Sequence, residues 1–314
     1  MKGISANKSP LRTGIKNCIL IVGSTAIGKT ALAIQVARHF STEIISCDSR
    51  QCFKELNIAV AKPSVEELQL VKHHFISSHS IHEEMNASLF EGYALKKINQ
   101  IFLSHDVAVM VGGTGLYAKA FCEGMDEVPA INLSVRQAIV TNYNNNGIEW
   151  LQEEIKKNDR QYFIQGEVQN PQRMMRALEV KMSTGKSIIE FQVKQKRTRG
   201  FNVIKIGLEL PRKELIERIN NRVDKMMDDG LLDEVKNLLP HQHLNALQTV
   251  GYRELFSYLE KEISLQQAVE QIKINTRQYA KRQMTWFKKE AGVIWCKPQF
   301  DEVKNKIGGA LKKN

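Results

Sequence analysis

A glycine-rich loop between two regular segments is the feature that most constrains the fold of this chain. Residues 18–22, Cys-Ile-Leu-Ile-Val, form an apolar run that is typical of a buried strand. The sequence Gly-Ser-Thr-Ala-Ile-Gly-Lys-Thr at 23–30 has the spacing of a P-loop, and the alanine-rich residues 31–38 predict a helix. Strand, glycine loop and helix in this order indicate an α/β fold with a parallel sheet.

The loop carries the groups that bind a diphosphate or a longer polyphosphate. Its glycines permit backbone angles that turn successive N–H groups toward one concavity, and the helix that follows adds its partially positive end. The lysine near its end adds a full charge. We therefore predict a phosphate cradle formed by Gly23, Ser24, Thr25, Ala26, Ile27, Gly28, Lys29 and Thr30.

Two further strands predict polar groups at the same edge of the sheet. Residues 43–47 form a short run that ends before Asp48, and the apolar run 106–111 ends before Gly-Gly-Thr-Gly at 112–115. The carboxyl ends of parallel strands meet at one edge, where ligands bind. Asp48 is therefore a candidate general base or metal partner, and the alternative is an aspartate that caps a turn or a helix.

The strand at 106–111 departs from the pattern of a hydrolytic P-loop enzyme. It ends in glycines, whereas the corresponding strand of such an enzyme ends in the acid that helps to hold magnesium. The glycines would let a ligand approach the backbone closely, and Thr114 would offer it a hydroxyl. A hydrolytic ATPase is therefore disfavoured.

Two arginines on a later predicted helix, residues 212–229, are a second candidate phosphate site. Arg218 and Arg222 lie four residues apart and so share one face of the helix. They could clamp phosphate oxygens, or they could pair with Glu214 and Glu217 at the surface. The sequence alone leaves both interpretations open.

The chain divides in sequence into four parts. Residues 1–16 carry basic side chains and no acid, and they predict a disordered basic tail. Residues 17–129 and 199–314 predict the two parts of a P-loop catalytic core. Between them, residues 130–198 have short helical patterns, an Asn-rich turn at 142–146 and no buried-type strand, which predicts an all-helical insertion.

Charge and cysteine usage narrow the partners and the compartment. Lys and Arg exceed Asp and Glu by 45 to 34, which favours a polyanion such as nucleic acid as the partner. The predicted helix at 265–290 mixes cations with aromatics, which suits RNA unless the aromatics belong to the core. Five cysteines without C-x2-C spacing favour a reducing cytoplasm, and no apolar run is long enough to span a membrane.

Eight motifs in a fixed order resemble those of the tRNA dimethylallyltransferases, also called tRNA isopentenyltransferases. The matching stretches are 23–30, 48–51, 61–63, 73–76, 111–117, 171–180, 251–254 and 276–287. The resemblance covers nearly the whole chain, from about residue 17 to residue 296. It implies a P-loop NTPase-like parallel sheet flanked by helices, with an inserted helical module, residues 130–198, that binds tRNA.

The resemblance implies a reaction in which no nucleoside triphosphate is hydrolysed. A dimethylallyl group moves from dimethylallyl diphosphate to N6 of adenosine 37, just 3′ of the anticodon, in tRNAs that read codons beginning with U. The implied partners are the anticodon stem-loop of tRNA, dimethylallyl diphosphate and Mg²⁺. We expect a cytoplasmic monomer without membrane association, because no heptad or exposed apolar pattern indicates a dimer.

The resemblance also assigns roles to individual residues. Asp48 would accept the N6 proton, Thr114 would lie near the bridging oxygen, and Lys29 and Arg218 would neutralise the departing diphosphate. Thr30 would help to hold the magnesium ion. The implied tRNA site consists of Asp48, Ser49, Arg50, Gln51, Arg136, Gln172, Arg173, Met174, Met175 and Arg176.

Three residues, Ser24, Ile27 and Val60, depart from the family pattern, and Ile27 would remove a hydroxyl near the phosphates. The alternatives are an adenylate isopentenyltransferase acting on free AMP, ADP or ATP, a small-molecule P-loop kinase, and an RNA-binding protein that has lost catalysis. Arg173 and Arg176 in the insertion favour tRNA over a free nucleotide, which needs neither.

Overall fold

The structure is a computed structural model that describes residues 14–129, 131–192 and 195–312. It contains two compact units, which we call the sheet unit (Met1–Cys122 with Thr198–Asn314) and the helical unit (Glu123–Arg197). The predicted basic tail at 1–16 lies outside the described residues, apart from its last three.

A six-stranded sheet forms the centre of the sheet unit. Every pair of neighbouring strands is parallel, and the strand order is β3-β2-β4-β1-β5-β6. The strands are β1 Asn17–Val22, β2 Ile44–Ser46, β3 His73–His74, β4 Val107–Gly112, β5 Asn202–Leu208 and β6 Val293–Cys296. All six residues of β1 are buried, as expected for a central parallel strand covered on both faces. The predicted fold class is confirmed.

Helices follow or connect these strands. In chain order they are α1 Lys29–His39, α2 Val65–Leu70, α3 Ala87–Phe102, α4 Gly115–Glu123, α5 Leu133–Asn158, α6 Arg160–Gln165, α7 Pro171–Thr184, α8 Arg212–Asp228, α9 Leu231–Leu238, α10 Tyr252–Leu259, α11 Leu265–Lys289 and α12 Phe300–Leu311. No described helix is long and apolar enough to cross a membrane.

One face of the sheet packs against α1 and α12. Alternate residues of the strands contribute to this core, for example Ile19 and Ile21 of β1, because side chains in a strand alternate between faces. Leu32 and Val36 of α1 and Val303 of α12 complete it. The close fit of α1 against the sheet fixes the glycine loop that precedes this helix.

The helical unit has a separate core and corrects one prediction. The predicted Asn-rich turn at 142–146 lies inside α5, which is kinked one residue later, at Gly147, with φ 74° and ψ −165°. The side-chain amides of Asn142 and Asn146 donate to the carbonyls of Ala138 and Asn142 at 2.9 and 3.0 Å, one helical turn back. These bonds satisfy the asparagine side chains within a helix, so a cluster of asparagines does not require a turn.

Candidate active site

A cavity of about 710 Å³ lies at the carboxyl edge of the sheet. It is lined by the glycine loop and the start of α1, by Asp48 and the residues after β2, and by the segment 59–63, which contains Val60. Arg218 and Arg222 of α8 and Tyr279 of α11 line it as well. The structure therefore brings residues 25–30 of the predicted cradle, the predicted base and the predicted arginine to one cavity within the sheet unit, whereas Gly23 and Ser24 do not line it.

The glycine loop has the backbone shape of an anion cradle. Gly23, Ala26 and Gly28 have φ angles of 152°, 61° and 97°, so the chain curls at three points within six residues. Helix α1 then begins directly at Lys29, and no side chain in the described part of the chain caps its first turn. Uncapped N–H groups at a helix start are donors for a phosphate.

Lys29 points back over the loop, where its ammonium donates to the carbonyl of Ser24 at 2.6 Å. Burial lowers the pKa of Lys29 to about 8; the charge of Asp48 raises this pKa, and that of Arg222 lowers it. An arriving diphosphate would favour the charged ammonium, because a nearby anion raises the pKa of a cation.

The departures at Ser24 and Ile27 leave the cradle intact. The side chain of Ile27 is fully buried and belongs to the core between the sheet and α1. Ile27 is also one of the residues that line the cavity, and the effect of the missing hydroxyl stays a prediction. Ser24 is also fully buried, and its hydroxyl has no hydrogen-bond partner among the described residues.

Asp48 both caps a turn and has a free carboxylate oxygen. Its Oδ1 accepts the N–H groups of Arg50 and Gln51 at 2.9 and 3.3 Å. Its Oδ2 has no hydrogen bond within the described ranges. The turn cap is thus observed, and it occupies only one carboxylate oxygen of a residue that lines the same cavity as Lys29 and Arg222. The role of Asp48 as a base is compatible with the cap and stays a prediction.

Thr114 does not line the cavity directly, and its hydroxyl is bonded to the segment that carries Asp48. Its Oγ1 accepts the N–H of Ser49 at 3.1 Å and lies 3.3 Å from the Ser49 hydroxyl, to which it donates. Gln51 lines the cavity, and its amide donates to the carbonyls of Val60 and Ala61 at 3.2 and 2.9 Å. Thr114 and Ser49 are therefore neighbours, and Gln51 supports the segment 59–63.

Gly112, the last residue of β4, and Gly113 and Gly115, which follow it, are closely packed against other parts of the protein. A Cβ added to Gly112 would collide with the backbone of Cys47, one added to Gly113 with the amide of Gln283, and one added to Gly115 with the indole of Trp286. These glycines therefore admit the residue after β2 and helix α11, which fixes the backbone on both sides of Thr114. Gly112 also lines the cavity, so close approach of a ligand to this backbone stays a prediction.

Arg222 contacts the cradle more directly than Arg218 does. Its Nη1 donates to Thr25 Oγ1 at 3.3 Å. Arg218 is more exposed, pairs with Glu214 at 2.8 Å, and has its Nη1 3.9 Å from the point where a Cβ on Gly28 would lie. The surface ion pair is therefore observed for Arg218, which also lines the cavity, while Arg222 faces the loop. The phosphate clamp stays a prediction.

Several of the predicted tRNA contacts lie on α5 and α7 of the helical unit. Arg136 and Arg176 both lie near the buried carboxylate of Glu179, at 3.8 and 3.5 Å, while their guanidinium groups stay partly exposed. Gln172 is exposed, and so is Arg173, which lies 3.7 Å from Glu167. One face of α7 therefore presents polar and cationic groups to solvent.

Met174 and Met175 require a correction. Both side chains are buried, with exposures of 0% and 6%, and they belong to the core formed by α5, α6 and α7. They stabilise the helix that carries the arginines, and their side chains are not available to contact RNA in this structure. The apolar side of an amphipathic helix faces its own core.

Comparison with known proteins identifies the family. The family model described as IPP transferase matches residues 51–290, which is most of the chain. The chain belongs to this family. The tRNA dimethylallyltransferases of Flavobacterium johnsoniae and Flavobacterium psychrophilum are 49% and 47% identical to it, covering 90% and 91% of this chain and 93% and 95% of their own length.

Solved structures of the IPP transferase family have the same fold. The tRNA isopentenylpyrophosphate transferase of Bacillus halodurans is 32% identical and superposes with a TM-score of 0.70, covering 95% of this chain and 97% of its own. A eukaryotic dimethylallyltransferase acting on tRNA is 26% identical, with a TM-score of 0.74 over 90% of this chain and 74% of its own.

The pKa of Lys29 leads to a prediction about pH. We expect the affinity for pyrophosphate to fall as the pH rises through about 8, because the ammonium is charged below this value and neutral above it. Calorimetric titration from about pH 6.5 to about pH 9.5 would measure the change. Lys29→Arg is the control, since its charge persists and its pH profile reports the titration of pyrophosphate alone. Parallel profiles for the two proteins would contradict the prediction.

Proposed function

We propose that this protein is a tRNA dimethylallyltransferase. It transfers a dimethylallyl group from dimethylallyl diphosphate to N6 of adenosine 37, 3′ of the anticodon, in tRNAs that read codons beginning with U. One observation carries the proposal: in a member of the IPP transferase family, a free carboxylate oxygen of Asp48 shares one cavity with a phosphate cradle that contains Lys29.

The chemistry suits these groups. The N6 amine forms a bond to the first carbon of the dimethylallyl group, the bond from this carbon to the bridging oxygen breaks, and the N6 proton moves to Asp48. An aromatic amine is a weak nucleophile, so an oriented base and a stabilised leaving group are both needed. Lys29, Arg218, Arg222 and the N–H groups of the loop Gly23 to Thr30, except that of Thr25, would neutralise the diphosphate. Thr114 would position the segment of Ser49 and Asp48.

The donor set fits a magnesium ion that is held mainly by the substrate. Thr30 lines the cavity and offers its hydroxyl oxygen as a ligand. Within the described ranges no cluster of three or more acidic, histidine or cysteine side chains could hold a metal alone. Mg²⁺ typically takes one or two protein ligands together with substrate phosphates. When bound, it would supply positive charge to the departing diphosphate.

The tRNA would meet basic residues of both units. We propose that Ser49, Arg50 and Gln51 line the base site, and that Arg136, Gln172, Arg173 and Arg176 of the helical unit contact the anticodon stem-loop. The target adenosine must leave its stack to reach a cavity. We further propose a cytoplasmic monomer; five cysteines without C-x2-C spacing agree with a reducing compartment.

One assay tests this function and its alternative. The purified protein is incubated with Mg²⁺, dimethylallyl diphosphate and unmodified tRNA whose anticodon ends in adenosine, and the digested RNA is analysed by mass spectrometry. We expect N6-isopentenyladenosine in the tRNA and no prenylated product from AMP in a parallel reaction. Product from AMP alone would assign the protein to the adenylate isopentenyltransferases, and binding of tRNA without any product would indicate an inactive RNA-binding protein.

The exposed arginines of the helical unit provide a test of tRNA binding. Replacing Arg136 and Arg176 together by alanine should weaken tRNA binding about tenfold and reduce the salt slope of log K by about 1 to 2. Filter binding at several salt concentrations would measure both quantities. The matched control removes two other cations of the same unit, Lys156 and Lys157. Equal losses in the two double variants would show that only net charge matters.

A further inference from the structure

Gln283 of α11 connects two loops of the active site through one side-chain amide. Its Oε1 accepts the N–H of Thr25 in the glycine loop at 2.8 Å. Its Nε2 donates to the carbonyl of Gly113, in the loop after β4, at 2.9 Å. The residue is only 6% exposed, so water cannot readily replace either bond. Neither contact was predicted from the sequence.

The amide of Gln283 makes both bonds because it carries an acceptor and a donor on one planar group. An ionised glutamate has no hydrogen to give to the Gly113 carbonyl, and methionine lacks both a suitable donor and a suitable acceptor. Gly113 is required in turn, because a Cβ there would collide with the Gln283 amide nitrogen. The next residue, Thr114, is bonded to Ser49, which follows Asp48. The amide therefore sets the distance between the cradle and the segment that holds the base.

The bond from Thr25 also changes the cradle itself. Backbone N–H groups of a glycine loop are the donors that bind phosphate oxygens. The N–H of Thr25 is directed to Gln283 instead, and the Thr25 hydroxyl accepts from Arg222. The cradle therefore has one backbone donor fewer for a polyphosphate, which disfavours a longer chain of phosphates relative to a diphosphate.

We propose that Gln283 is a positioning residue that fixes the cradle against the Thr114 loop and withdraws the Thr25 N–H from phosphate binding. The proposal rests on the proposed function, in which the cradle holds the diphosphate of the prenyl donor. It assigns to α11 a role inside the active site, in addition to any contact of its basic face with RNA.

Two variants test separately whether Gln283 fixes the cradle against the Thr114 loop and whether it withdraws the Thr25 N–H from phosphate binding. Gln283→Met loses both bonds and frees the Thr25 N–H. We expect kcat for tRNA prenylation to fall about 10-fold to 100-fold with KM for dimethylallyl diphosphate changed by less than about threefold, because a small misplacement costs rate more than binding. We expect the affinity for tripolyphosphate to rise about tenfold relative to pyrophosphate, since an N–H bond to a charged acceptor is strong.

Gln283→Glu retains the acceptor for Thr25 and loses the donor for Gly113. We expect a similar loss of kcat and no rise in the ratio of tripolyphosphate to pyrophosphate affinity, because the Thr25 N–H stays bonded and the new carboxylate repels the more highly charged anion. Gln271→Met, at an exposed position of the same helix, is the matched control and should leave kcat, KM and the ratio as they are. Thermal unfolding of each variant, followed by circular dichroism, identifies any that do not fold.

Hydrogen exchange of the wild-type protein tests the proposal even if a variant does not fold. In the wild-type protein, the Thr25 amide should be protected from hydrogen exchange without ligand, and pyrophosphate should leave this protection unchanged. An amide that becomes protected only with pyrophosphate, or a folded Gln283→Met variant with wild-type kcat and an unchanged affinity ratio, would overturn the proposal. A wild-type protein that makes no isopentenyladenosine would refute the proposed function. The phosphate measurements need no tRNA, so they would still test whether Gln283 withdraws the Thr25 N–H from phosphate binding.

Discussion

Replacing Asp48 by asparagine is expected to lower kcat for tRNA prenylation by about 10²- to 10⁴-fold, which is the usual effect of losing a general base. The substitution is nearly isosteric. The remaining Oδ1 can still accept the N–H groups of Arg50 and Gln51, so the turn after β2 should persist. What changes is Oδ2, which becomes an NH₂ group that cannot accept a proton from the adenosine.

Single-turnover measurements with saturating tRNA and dimethylallyl diphosphate would isolate the chemical step. The affinity for tRNA should stay within about twofold of wild type, because the lost group acts on a proton and makes little contribution to binding. Asp228→Asn, at an exposed position of α8, is the matched control. Near-wild-type turnover in Asp48→Asn would remove this residue from the mechanism, and a parallel loss of tRNA affinity would assign it to binding.

Asp48 should also influence the cradle through charge. Its negative charge raises the pKa of Lys29, so the asparagine variant should lose the Lys29 proton at a lower pH than wild type does. The pH at which pyrophosphate affinity begins to fall should shift downward accordingly. This effect gives a readout of Asp48 that does not depend on catalysis.

The parts of the site that could be predicted from sequence are those encoded in short contiguous patterns. The glycine loop, Asp48 and Thr114 all follow apolar runs, and parallel strands bring their carboxyl ends to one edge. Their meeting in one region therefore follows from the order of strands and helices. The family motifs then give each residue a role.

The remaining features depend on where side chains point in the folded protein, which a sequence pattern does not contain. Gln283 lies 258 residues from Thr25, and nothing in its local sequence points to the glycine loop. The side chain of Ile27 could face phosphate or core, and only the packing of α1 on the sheet decides for the core. Met174 and Met175 share a motif with two exposed arginines, although the helix turns them toward its own core.

The position of Arg222 could be predicted only in part from the sequence. Its spacing from Arg218 placed both on one face of α8, but the sequence could not show which arginine reaches the loop. The structure turns Arg222 toward Thr25 and pairs Arg218 with Glu214. Burial lowers the pKa of Arg222, and the charge of Asp48 raises it. The guanidinium of an arginine nevertheless remains charged in proteins.

Replacing Arg222 by methionine is expected to lower kcat by about 10²- to 10³-fold, comparable to the loss of one preorganised donor at a developing anion. The cation lies partly buried beside the cradle, where charge is weakly screened, so it should stabilise the departing diphosphate more than a surface arginine could. Pyrophosphate affinity should fall as well. The tRNA affinity, measured without the diphosphate, should change little because Arg222 faces the loop.

Rapid-quench measurements of the chemical step, combined with calorimetric titration of pyrophosphate, would test this expectation. Arg212→Met, at an exposed position at the start of the same helix, is the matched control for a lost cation. Arg222→Lys restores charge without the forked guanidinium and should recover only part of the rate. A full recovery by lysine would mean that charge alone is needed at this position. Equal effects of Arg212→Met and Arg222→Met would mean that Arg222 raises kcat through the net charge of α8 and not through its contact with Thr25.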